Sequence, residues 1–215
     1  MATPVTPLDV IPSFHQALRN DMKLIDDAAY KAAAEDGNLA PVVERLRFFS
    51  EILMWHAAGE DELVFPAMDK VAPLVAQGYL HDHNEFDMMT EGLARMVAAS
   101  DPLVAARETA AMTAVLRIHL DKEDQQLYPI LRERTSLEEQ TAIVGGMAAH
   151  VPPERNPEFI RWLFPLLGHD DREMWTKVVM GLMPEEVFAG VKVLIRETIT
   201  DDWAELTRRI PELNV

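Results

Sequence analysis

Cysteine is absent from this 215-residue chain. No disulfide can form, and any metal site must use imidazole and carboxylate rather than thiolate. Basic residues are scarce: 20 Lys and Arg stand against 36 Asp and Glu, a formal charge of −16. No basic patch of any length occurs, which argues against nucleic acid as a partner, and an anionic lipid surface would repel the same charge. A run of roughly 18 apolar residues, the length that spans a bilayer, is missing, so no membrane segment is expected. The first residues, MATPVTPLDVIPSFH, lack a basic segment followed by an apolar core. A signal peptide is therefore not expected, and a soluble cytoplasmic protein is the default expectation. Strand-type alternation is also missing throughout.

What is present is helical periodicity over a chain that is 48% apolar, enough for one substantial core. Pro4, Pro7 and Pro12 suggest an extended arm over residues 1–12, after which Ser13 could cap a first helix that Gly37 ends. On that helix His15, Leu18, Met22 and Ile25 share one face. The second helix is expected from about Pro41 to Phe65, with Leu46, Phe49, Leu53, His56, Glu60 and Leu63 at steps of three and four. After Pro73 and Gly78 a third spans about Leu80 to Ala98, placing His83, Phe86, Thr90 and Leu93 together. Ser100-Asp101-Pro102 breaks the chain, and a fourth runs from about Val104 to Leu127, with Met112, Val115, Leu116, His119, Glu123 and Leu127 as its stripe.

One stretch organises this pattern. His56 to Pro66, HAAGEDELVFP, returns as His119 to Pro129, HLDKEDQQLYP. Each copy has a Glu four residues after its His, and then an aromatic followed by Pro. Residues four apart lie one turn apart on the same helix face, so each copy sets an imidazole beside a carboxylate. The Pro is expected to end or kink each helix just beyond the pair. A His helix precedes each copy, so the chain repeats a two-helix unit. Short connectors make neighbours antiparallel. The expected fold is all-α: an antiparallel up-down-up-down four-helix bundle over residues 13–134, with an additional C-terminal helical region over 135–215. Ser136 with Glu139 should open a fifth helix, and Glu158–Leu167, His169–Leu182, Glu185–Glu197 and Asp201–Arg209 read as shorter ones.

The inward-facing candidates are His15, His56, Glu60, His83, His119 and Glu123. Four imidazoles and two carboxylates can serve two metal ions with the carboxylates bridging, and a sulfur-free nitrogen and oxygen set suits iron, manganese or zinc. A lone H-x-x-x-E is a weak signal: His81–Glu85 and His169–Glu173 match it without the aromatic-Pro ending and read as surface pairs. His81 and Tyr128 are carried as outer candidates, for a supporting contact or an extra ligand.

On these residues the chain resembles the hemerythrin-like, or HHE cation-binding, proteins over about residues 13–134. His15, His56 with Glu60, His83, and His119 with Glu123 match the family pattern, as do Phe65-Pro66 and Tyr128-Pro129. The resemblance implies a four-helix bundle around two non-haem iron ions, Fe2+ or Fe3+, joined by an oxo or hydroxo bridge and by Glu60 and Glu123. It implies a small partner, O2, NO or H2O2, in oxygen carriage, in sensing, or in the response to oxidative and nitrosative stress. The oxygen carriers use a fifth histidine where this chain has Asp87, which disfavours oxygen transport. Residues 159–213 are similar to a helical tail of some longer members, a candidate surface for a protein or redox partner. A sensor and an oxidoreductase turning over peroxide or nitric oxide both remain open, and iron storage or delivery and a metal-free helical module are further alternatives.

Overall fold

A computed structural model describes residues 5–98 and 101–214. It is all-α, with no strand among the described residues. No described helix is long and apolar enough to cross a membrane.

The chain enters its first helix earlier than the proline spacing suggested. The Asp9 carboxylate accepts from the Thr6 backbone N–H at 2.5 Å and from its hydroxyl at 3.2 Å, which closes a 3-10 turn, Pro7–Asp9. Helix α1, Val10–Lys31, follows directly. Residues 7–12 are thus helical rather than an extended arm. Pro7 and Pro12 are tolerated because the first turns leave their N–H groups without intrahelical partners, so a missing donor costs nothing there. Ser13 is not the cap: its hydroxyl donates to the Val10 carbonyl inside the helix. Gly37 does end the segment, at φ 70°, where its N–H reaches back to the Ala32 carbonyl and a β-carbon would be strained.

The chain divides into two compact units, residues 18–134 and residues 1–17 with 135–215. The first contains most of α1, then α2 (Ala40–Gly59), α3 (Phe65–Val71), α4 (Gln77–Ala98), α5 (Pro102–Lys122) and α6 (Tyr128–Arg134). Its core is the expected stripes: Leu18, Met22 and Ile25 from α1, Leu46, Phe49 and Ile52 from α2, Phe86 and Leu93 from α4, Met112 and Leu116 from α5. Val115, expected on the inner stripe, is 40% exposed, and the adjacent Leu116 takes the buried position.

Polar ties join these helices at their flanks. Arg19, early in α1, binds Asp121 at the end of α5 and Asp124 just beyond it, at 2.9 and 2.6 Å. Further along α1, Asp26 accepts from Thr109 near the start of α5 at 2.8 Å. Buried Asp21 pairs with Arg45 of α2. The Asp101 carboxylate caps α5 by accepting from the N–H groups of Leu103 and Val104; Ser100 lies outside the described residues.

The other unit holds α7 (Leu137–Ala148), α8 (Asn156–Leu166), α9 (His169–Leu182), α10 (Glu185–Thr198) and α11 (Trp203–Arg209). Ser136 and Glu139 form the expected capping box. Phe14 joins the C-terminal residues Phe159 and Trp162, with ring centroids 5.9 and 5.6 Å away. Arg172 is buried, and it donates to the Phe164 carbonyl at 2.8 Å and to Asp202 at 2.6 Å.

Candidate metal centre

The repeated motif is built on a local backbone device that the sequence reading did not foresee. After His56 and Glu60 the helix does not stop. It widens through a π-turn, Glu60–Val64, in which the Phe65 N–H bonds the Glu60 carbonyl, and α3 continues to Val71. The second copy does the same: Glu123–Leu127 is a π-turn, the Tyr128 N–H bonds the Glu123 carbonyl, and α6 continues to Arg134. Proline explains the coincidence. In a regular helix the rings of Pro66 and Pro129 would press on the carbonyl four residues back, and one extra residue in the turn relieves that clash. The Pro residues therefore widen each helix instead of ending it. The shift also moves the inner face by one residue, so Val64 is buried while Leu63 is only partly so.

These turns hold Glu60 and Glu123 fully buried. His56 Nε2 lies 3.4 Å from Glu60 Oε1, His83 Nε2 lies 3.4 Å from Glu60 Oε2, and His119 Nε2 lies 3.1 Å from Glu123 Oε1. The His83 and His119 rings are 5.0 Å apart. Two overlapping groups result. Glu60, His83, His119 and Glu123 each offer a ligand atom within 4.8 Å of the others, and so do His56, Glu60 and Glu123. Both carboxylates belong to both groups. His15 is fully buried on the opening turns of α1.

The imidazoles are oriented from behind. His83 Nδ1 lies 2.7 Å from Asp61, and His119 Nδ1 lies 3.1 Å from Asp82. A proton on Nδ1 shared with a carboxylate leaves the Nε2 lone pair facing inward, as a metal ligand requires. Asp82 is further held by Lys122, whose ammonium sits 5.3 Å from the Tyr79 ring centroid. Burial pushes the Asp82 carboxyl up, but Lys122 and His119 outweigh it and hold it below the usual carboxylate range. Tyr128, fully buried, donates its hydroxyl to Glu60 Oε1 at 2.6 Å. Burial, then the charges of Glu60 and Glu123, keep that phenol protonated well above its ordinary range. Burial pushes the His83 imidazole down, yet Glu60, Glu123 and Asp61 together lift it to about 9.

His81 is exposed and belongs to neither group, because two residues from His83 is about 200° around a helix. His169 is likewise exposed. The side chain of Asp87 lies outside the described residues. Asp82 was missed by sequence reading: its partners come from the neighbouring helix, and no spacing within α4 signals them. Asp61 was legible only as one acid in the run Glu60-Asp61-Glu62.

The donor set fits a hard or borderline cation. Two carboxylates buried side by side are costly unless positive charge faces them, and the inward Nε2 atoms are neutral ligands once deprotonated. Nitrogen and oxygen donors without sulfur suit iron, manganese or zinc.

Fold and site together define a helical cation-binding protein. The chain belongs to the hemerythrin family: the model of the hemerythrin HHE cation binding domain matches residues 6–131. It is similar to the zinc finger protein BRUTUS of Arabidopsis thaliana, 30% identical over 200 residues, covering 87% of this chain and 16% of that protein. Two BRUTUS-like zinc finger proteins of the same plant are 25% and 22% identical over 87% and 91% of this chain, again 16% of each. The chain thus spans about a sixth of the length of these curated relatives. No solved structure matches it.

Proposed function

We propose that this protein is a non-haem di-iron protein that binds or reacts with a small oxidant, O2, NO or H2O2, in sensing or in the response to oxidative and nitrosative stress. The observation that carries the reading is the sharing of two buried carboxylates, Glu60 and Glu123, between two sets of imidazoles. His56 would serve one ion and His83 with His119 the other. His15 is kept as a further candidate ligand from its burial and its place on the α1 stripe. The four long helices α1, α2, α4 and α5 form an antiparallel up-down-up-down bundle in this reading. The crossed ties from Arg19 and Asp26 to opposite ends of α5 support it.

When bound, iron supplies open coordination positions and a change of oxidation state. The protein's own contribution is to orient and to exclude. Asp61 and Asp82 hold the imidazoles of His83 and His119, and Tyr128 holds Glu60. The buried rings of Phe65 and Phe86, 5.1 Å from His83 and 4.9 Å from His119, shield the imidazoles from bulk water. Among the described residues the titratable side chains brought together are the ligand candidates and the groups that hold them, Asp61, Asp82 and Tyr128, a set suited to a small reactant. The C-terminal helices are proposed as the surface for a protein or redox partner.

The alternative is an oxidoreductase on the same site. Peroxide consumption by the iron-loaded protein separates the two: a stoichiometric spectral change supports a sensor, and many turnovers per site support the enzyme. Iron storage or delivery is disfavoured, because one pair of ions per chain makes a poor store. Purified protein without iron, or with zinc and no near-ultraviolet band, would defeat the di-iron reading.

A further inference from the structure

We propose that Tyr128 is a positioning residue: its hydroxyl fixes the Glu60 carboxylate so that one oxygen faces each histidine set. The inference rests on the di-metal reading above.

The bond crosses the repeat. Tyr128 belongs to the second motif and Glu60 to the first, and the phenol donates to Oε1 at 2.6 Å with both side chains fully buried. Oε1 is the oxygen 3.4 Å from His56 Nε2, while Oε2 is 3.4 Å from His83 Nε2. The last torsion of a glutamate is broad, so an unheld carboxylate samples many planes. A short bond to a charged oxygen selects one of them. That plane turns Glu60 into a ligand pointing both ways. The motifs otherwise repeat position for position: His56 with His119, Glu60 with Glu123, Pro66 with Pro129. At the aromatic position they differ by a single hydroxyl, because the counterpart of Tyr128 is Phe65. The two motifs are therefore alike in their ligands and differ in this phenol.

Cobalt(II) titration of the metal-free full chain tests this, with Tyr128→Phe compared against wild type and against Tyr79→Phe. Phenylalanine is accommodated at this motif position in the first repeat, as Phe65. Tyr79 is the control, since its hydroxyl donates to the Lys122 carbonyl at 3.3 Å and its ring lies 6.1 Å from His119. Tyr128→Phe should still take two ions but bind them roughly tenfold or more weakly, the usual cost of losing a group that orients a ligand. Tyr79→Phe should stay within about threefold of wild type, well below that loss. Tyr128→Phe within threefold of wild type, or an equal loss in both variants, overturns the proposal. Should Tyr128→Phe not fold, ring-deuterated tyrosine in the Tyr79→Phe protein leaves only Tyr128 and the 72% exposed Tyr30. A tyrosine C–O band that shifts in the infrared difference on cobalt loading supports the proposal, and no shift overturns it. Failure of the wild type itself to bind cobalt would instead sink the metal reading.

Discussion

Replacing His119 by Ala removes one Nε2 ligand and leaves Glu60, His83 and Glu123 in that group. His119 is 3% exposed, so truncation opens a buried space costing about 2–5 kcal/mol in the metal-free protein. Asp82 loses one partner but keeps Lys122 and is 26% exposed, so solvent covers the vacated acceptor. The more telling quantity is the metal-induced increment. An ion present at a hundredfold its dissociation constant adds about 2.7 kcal/mol. In a chain of this size 1 kcal/mol moves the melting temperature by about 2–4 °C, so each ion should raise it by roughly 5–10 °C. Wild type should show two such increments. His119→Ala, and separately His56→Ala, should lose at least one, with metal content falling from two ions per chain to one or none. Thermal melts with and without metal, paired with metal analysis of dialysed protein, measure both. Unchanged metal content in both variants would refute the reasoning.

Other outcomes follow from the same geometry. His83, lifted to about 9, is an imidazolium at pH 7 and must lose its proton to bind a metal. Metal binding should release about one proton per chain there, and affinity should fall roughly tenfold per pH unit below 9 from this group; calorimetry in buffers of different ionisation heat measures the release, and none would contradict the assignment. In the metal-free protein the folded value exceeds the ordinary 6.5, so the stabilisation is complete below that pH and is lost as pH rises through 9. Chemical denaturation across this range should show the decline. Asp61→Ala should lower metal affinity by about 10–100-fold by freeing His83 Nδ1, and titration of the variant decides it. Arg172→Met removes bonds to Asp202 and the Phe164 carbonyl and should cost about 1.5–3 kcal/mol in urea unfolding; an unmoved midpoint would rule out that role.

Much of the site could be read in one dimension because helices convert spacing into direction. His56 and Glu60, four apart and continuous with Leu46, Phe49 and Leu53, had to share a face with core residues, and a second copy at His119 and Glu123 made chance a poor explanation. What spacing conveyed poorly was the backbone after the pair. Pro66 and Pro129 read as helix ends or kinks under the usual rule, yet a helix can absorb a proline by widening its turn, and that choice depends on packing beyond local sequence. The opening residues were misjudged for a related reason: prolines at a helix entrance forfeit no hydrogen bond, so Pro7 and Pro12 mark a start as readily as an extended arm. Asp82, and the partner of Tyr128 though not Tyr128 itself, show the remaining gap. Each acts on a residue of another helix, Asp82 on His119 and Tyr128 on Glu60, and such pairings exist only once the helices are packed.

X-ray absorption at the iron edge of protein purified with its native metal, together with metal analysis, tests the central claim most directly. The account predicts two irons per chain, a first shell of nitrogen and oxygen only, with imidazole scattering, and a second iron at roughly 3–4 Å, the spacing of two-metal sites. A single isolated iron, or a preparation that holds none and takes up none, would contradict it.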